Sequence, residues 1–276
     1  MDDNFIIEYK NKKYNLEQLI QEEKEYLGKL DKLPTIGFRK ILVTISSKNL
    51  SGYTTTICYQ KYEALIEKIS HARYLSREAF KKLHKGPLQW SSGYRGQLLQ
   101  RSLYLIQSVL TYQSCLDNLL QIIWFQYINK EDITNRKDYI RLLKACSYLV
   151  IKKKKSSLPS DIKELISDFE KLFNHKSVKD IRDTANNYKH HANLNFSGLE
   201  EIDYGIEIKI DYGIEIKFNN GLKNIDLKEN IIDIDEYCTK LIDVNNLIVE
   251  FSMKLWNKLD YGKFVTRTEK GYSATI

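Results

Sequence analysis

The chain has 276 residues, with 43 lysines and arginines against 36 aspartates and glutamates, a formal net charge of +7, four cysteines and three prolines. At 42% hydrophobic and 29% charged it has the composition of a globular protein, which excludes a disordered chain, and its length suffices for one large core or two small ones. The acidic start Met1-Asp2-Asp3-Asn4 lacks a secretory leader, and the most apolar run, Cys115 to Ile128, is interrupted by Asp117, Asn118 and Gln121, so a cytoplasmic protein without a membrane span is expected.

Taken in order, Phe5 to Tyr14 has the pattern of a small hairpin, followed by a helix capped by Asn15 that runs to about Leu30. Ile41 to Ile45 is compatible with a strand or a short helix. From about Tyr59, apolar residues at Tyr62, Leu65, Ile66, Ile69, Ala72 and Leu75 keep helical spacing as far as Leu83, and Gly86-Pro87 stops the run. A long helix is predicted from about Gln97 to Ile128 and a shorter one from about Arg136 to Val150, ended by a basic loop at Lys152 to Lys155. Further helices are expected at Ser160 to Phe173, at Val178 to Ala192 with Ser177 as N-cap, and at Ile234 to Leu259 with Asp233 or Asp235 as cap. Pro34, Pro87 and Pro159 fall between these segments.

The segment before the last helix carries an exact tandem repeat: IDYGIEIK occupies Ile202 to Lys209 and again Ile210 to Lys217. Its strict apolar–polar alternation reads as a strand with one buried face, and Asn219-Asn220-Gly221 offers a turn into Leu222 to Leu227. The expected architecture is therefore an all-α helical bundle with a small β-hairpin insertion at about 202–227 and a short N-terminal α+β extension. Residues 1–55 would form that extension and 56–276 the helical domain.

The cysteines Cys58, Cys115, Cys146 and Cys238 are scattered, without zinc spacing or a paired motif, and three of them sit in apolar helical patterns as small core residues. No metal site and no cofactor are expected. On the helix opened near Ser177, an advance of about 100° per residue places Val178, Ile181, Ala185, Tyr188 and Ala192 on a core face. Arg182, Asn186, Lys189 and His190 share an arc beside it. A guanidinium, an amide, an ammonium and an imidazole on one stripe suit work on phosphate: the cations offset the charge and His190 moves a proton near neutral pH. The same stripe is equally compatible with a solvated helix face. On the long helix, Gln100, Gln107, Ser114, Asn118 and Gln121 form an uncharged polar stripe suited to a helix–helix or subunit interface, with Gln113 and Asp117 beside it. Asp117 is expected to face Arg182 or His190 and to support the site.

The string Arg182-Asp183-x-x-Asn186-x-x-Lys189-His190, late in an all-α chain and ahead of a β excursion and a final long helix, resembles the HEPN superfamily. It is closest in pattern to bacterial HEPN-like families with an R…N-x-x-K-H signature, and the resemblance covers roughly residues 59–260. It implies a helical bundle that forms a homodimer. Its function would be that of a metal-independent ribonuclease acting on RNA in bacterial defence, with a toxin–antitoxin or antiphage setting and a cognate antitoxin, or of a non-catalytic RNA-, nucleotide- or protein-binding module. By resemblance Arg182 is the motif arginine, His190 the motif histidine, and Asn186 or Lys189 the supporting polar group. The chain departs from the pattern in two ways. Arg182 and His190 lie about 12 Å apart along a continuous helix, so that a bound phosphate or a partner subunit would have to complete the site. Ala192 stands where one version of the motif has tyrosine.

Overall fold

The computed structural model describes residues 6–33, 50–84, 93–131, 133–191, 194–199, 231–258, 265–268 and 271–274. The Ile41–Ile45 segment and the tandem IDYGIEIK repeat lie outside the described residues, as do Pro34 and Pro87.

The chain opens with an antiparallel hairpin of β1 (Ile6–Tyr9) and β2 (Lys12–Asn15), turning through Lys10 and Asn11, both with positive φ. Asn15 then caps α1 (Leu16–Gly28): its Oδ1 accepts from the Gln18 backbone N–H while the Gln18 side chain accepts from the Asn15 backbone, a reciprocal capping box. The first element is thus as expected. α2 (Leu50–Phe80) begins ahead of the expected start near Tyr59 and ahead of the boundary expected after residue 55. α3 (Tyr94–Ile123) passes into a π-helical turn, Trp124–Ile128, closed by the Asn129 amide donating to the Trp124 carbonyl at 2.8 Å.

The helix expected over Arg136 to Val150 is two helices, α4 (Arg136–Ala145) and α5 (Tyr148–Lys154). The chain turns extended at Cys146, and Ser147 starts a new helix by accepting the Val150 amide with its hydroxyl. The lysines expected in a loop are accordingly helical. Lys152, Lys153 and Lys154 form the last turn of α5, where cations complement the helix dipole, and Lys155 begins a short 3-10 turn. α6 (Ser160–Asn174) and α7 (Lys176–His191) are joined by His175 alone. With a link this short, α7 starts two residues before Val178. The His175 carbonyl accepts the Lys179 amide, and Ser177 is a buried residue inside the helix whose hydroxyl donates to Asp243 instead of capping. α8 (Ile234–Lys258) is capped by Asp233, which accepts from the Asp235 and Glu236 amides. After α8 comes a second hairpin, β3 (Val265–Thr268) with β4 (Gly271–Ala274), beyond the elements expected from the sequence.

α2 and α3 form the main helix pair, and α8 and α7 pack on it. The core is filled by Tyr62, Leu65 and Ile69 of α2, Leu105, Tyr112, Leu116 and Ile123 of α3, and Leu241, Val244 and Ile248 of α8. Tyr9, Tyr14 and Tyr26 of the N-terminal segment join this same core. Buried polar groups are satisfied across it: the Tyr62 hydroxyl donates to the Ser252 carbonyl at 3.0 Å and Ser108 to the Ala72 carbonyl at 3.0 Å. Cys58, Cys115 and Cys238 are buried free thiols, each pushed up to about 12 by burial. The described residues form an all-α bundle with two hairpins, and no described helix is long and apolar enough to cross a membrane.

Candidate functional site

α7 is anchored by Val178, Ile181 and Ala185, all fully buried, which fixes the rotation of the helix. Tyr188, expected on the same face, is instead exposed: by the last turns of α7 the helix has run past the core it packs on. The rotation turns Asn186 and Lys189 toward α3 and leaves Arg182 against α6. The Gln113 amide donates to Asn186 Oδ1 at 3.4 Å, and its carbonyl oxygen accepts from Lys189 Nζ at 3.1 Å. One glutamine therefore clamps two members of the stripe, one turn apart.

Arg182 is half-buried. Its Nη1 donates to the Phe173 carbonyl at 3.2 Å and its guanidinium stacks 3.5 Å from the centre of the Phe173 ring. Burial lowers its pKa from the ordinary value, with Asp183, Asp117 and Tyr148 opposing. Asp117, one turn beyond Gln113, makes no ion pair with these cations among the described residues but lies in their field. Protein on several sides raises its carboxyl above the ordinary value, against the pull of Lys189, Lys68 and Arg182. No hydrogen bond or ion pair joins Asp117 to Arg182 or His190 among the described residues, and its link to the α7 stripe is the long-range one to Lys189 and Arg182. His190 is exposed on the last turn of α7, and α7 is continuous between it and Arg182, so the two remain about 12 Å apart along the axis.

The polar stripe of α3 divides. Gln107 is exposed, and Gln100 lines a groove beside α1 and the end of α2. Ser114, Asn118 and Gln121 face α2, where Lys68 donates to Ser114 Oγ at 2.6 Å and Asn118 Oδ1 at 3.1 Å and Lys61 donates to Gln121 Oε1 at 2.6 Å. Within the chain this is the expected helix–helix interface. Lys61 and Lys68 were missed in the sequence because they sit among core positions of α2 (Tyr62, Leu65 and Ile69) and look like ordinary flanking lysines. Their seven-residue spacing opposite an amide-rich helix was the available signal.

The junction of α2, α3 and α7 thus holds Lys61, Lys68, Arg182 and Lys189 on amides, hydroxyls, a carbonyl and aromatic rings. None has a carboxylate within ion-pair distance among the described residues, whereas Lys10, Lys81, Lys82, Lys155 and Lys240 all do. Neutral oxygens take up part of the N–H donors without cancelling the charge, so the junction keeps a positive field with Asp117 as its one nearby acid. Among the described residues no group of histidines, cysteines and carboxylates has the arrangement of a metal site. Comparison with family models, with curated proteins and with solved structures returned no match to this chain.

Proposed function

We propose that the α2–α3–α7 junction binds the phosphodiester backbone of RNA and that the protein is a HEPN-type, metal-independent endoribonuclease of a bacterial defence or toxin–antitoxin system, acting as a homodimer and held in check by a cognate antitoxin. The observation that carries the phosphate-binding part is the set of four cations bonded to neutral partners, three of them (Lys68, Arg182 and Lys189) in the field of one acid. A surface so arranged attracts an external polyanion because its own carboxylates do not neutralise it. In this reading Arg182 and Lys189 bind and polarise the phosphate, Asn186 holds its place through Gln113, and His190 transfers the proton at the ribose hydroxyl, completed across the dimer.

A second reading, a non-catalytic RNA- or nucleotide-binding module, is favoured by a specific observation: Arg182 stacks on Phe173, on an unbroken helix, a long way from His190. Incubation of purified protein with total RNA in EDTA separates the two. Cleavage by the native chain that is lost in both Arg182→Ala and His190→Ala is the expected result. RNA binding without cleavage, weakened by Arg182→Ala and unchanged in His190→Ala, replaces the enzyme with the binding module. Abolition of cleavage by EDTA rules out the metal-free mechanism.

A further inference from the structure

Lys61 and Lys68 belong to α2, on a different element from the stripe that the motif resemblance picks out. Seven residues apart, they project from one side of α2, about 10 Å from each other along its axis. Their partners order them along α3. Lys189 is held at Gln113, Lys68 at Ser114 and Asn118, and Lys61 at Gln121. Three ammonium groups from two helices therefore follow α3 in sequence, from Lys189 at Gln113 toward the π-helical turn. At that far end Lys61 stands 5.5 Å and 5.4 Å from the centres of the Phe125 and Tyr139 rings.

Each ammonium carries three N–H donors. Lys68 gives two to α3 and Lys61 gives one, and both residues are half-buried, so each reaches solvent with donors to spare. Lys155 on its turn, by contrast, is paired directly with Glu170 of α6. Here the facing side chains are Ser114, Asn118 and Gln121, which set the direction of each ammonium without an ion pair, Asp117 being the one α3 acid in the field of Lys68.

Resting on the RNA-binding reading above, we infer that Lys68 and Lys61 contact separate phosphates of a single strand that runs along α3, beginning at Lys189 and ending near the π-helical turn. A lone phosphate or mononucleotide reaches only the α7 end of this row. The bound species is therefore an extended strand, and Gln113, Ser114, Asn118 and Gln121 are positioning residues for the cations.

The test uses the full chain and a fluorescent, cleavage-resistant 2′-O-methyl RNA of roughly 12 nucleotides, with uridine monophosphate as the short ligand. Lys61→Gln and Lys68→Gln should each weaken RNA binding about fourfold at about 0.15 M salt and flatten the plot of log affinity against log salt by about 0.7, the single-strand value for one lost phosphate contact. Lys61→Arg and Lys68→Arg should restore both, and binding of uridine monophosphate should not change. If both glutamine variants keep the native salt slope while Arg182→Ala and Lys189→Ala weaken binding, the inference fails and the α7 site stands. If the arginine variants lose binding as the glutamine ones do, the lysines serve packing alone and the inference fails. If the native chain binds neither ligand at any salt concentration, the RNA-binding reading fails with it.

Discussion

Two clusters of charge lie along α3 and are built on opposite principles. Near its start, Arg101 is fully buried, donates to the Ala79 carbonyl at 2.8 Å, and pairs with Asp235 of α8. Asp235 also accepts from the Tyr9 hydroxyl at 2.8 Å and pairs with Lys10 at 2.9 Å, while Asp233 takes Lys10 at 2.6 Å. Roughly three turns further along α3, the cations of the α2–α3–α7 junction rest on neutral groups. The first cluster closes its field on itself and fastens the N-terminal hairpin to α3 and α8. The second orients its cations on neutral groups and leaves their charge directed outward. Counting basic residues does not separate these cases, because what matters is whether the partner of each cation carries a charge.

The largest test of this contrast is Asp235→Ala. It strips Arg101 of its buried carboxylate and should destabilise the fold by about 3–5 kcal/mol in denaturant unfolding. A cost below about 1 kcal/mol would put the first cluster in the same class as an exposed ion pair and erase the distinction.

Acid titration sharpens the same point. Burial alone would raise the Asp235 carboxyl, but Arg101, followed by hydrogen bonds from Lys10, Arg101 and Tyr9, outweighs it and holds the group at about 2. A carboxyl depressed in the folded state lends stability above its unfolded value, near 3.9, and loses it as the pH falls through about 2. The native chain should accordingly shed about 2 kcal/mol between those values, and Asp235→Asn should lack that step. Melting temperatures taken from pH 5 downward would show it.

The smallest effect has the opposite sign. Asp117 is an exposed residue whose carboxyl the surrounding protein raises in the folded state, so its ionised form is only a small burden on the fold at neutral pH. Asp117→Asn should raise the melting temperature at pH 7, with the gain closing as the pH falls below the raised pKa and the native carboxyl takes up its proton. By removing the acid from a cationic surface, the same substitution should tighten binding of the 2′-O-methyl RNA. Unchanged affinity would mean that Asp117 lies outside the field that RNA meets.

Local signals carried the reading of the helices a long way. Asn15 followed three residues later by Gln18, and Asp233 ahead of a periodic apolar run, are hydrogen-bonding instructions that operate within one turn, and both caps form as read. Where local signals failed, a neighbour decided. The α4–α5 break needed Ser147 to compete for the helix start, and Ser177 lost its capping role because a single residue, His175, separates α6 from α7. Tyr188 obeyed helical periodicity and still reached solvent, since periodicity gives the face of a helix but not how far along it the core extends.

The candidate site divides in the same manner. Arg182, Asn186 and Lys189 were legible because their spacing along one helix places them on one stripe, whatever the rest of the chain does. Gln113 as their clamp, Lys61 and Lys68 as their continuation, and Arg101 with Asp235 as their counterpart were not, because those pairs join residues 46 to 134 positions apart. The sequence by itself determined where helices begin and which groups share a side of each. Only the packing of α2, α3, α7 and α8 decided which cations meet carboxylates and which meet amides. Capping and periodicity depend on neighbours within one or two turns, whereas the field at a surface depends on every charge within several ångströms, whatever its place in the chain.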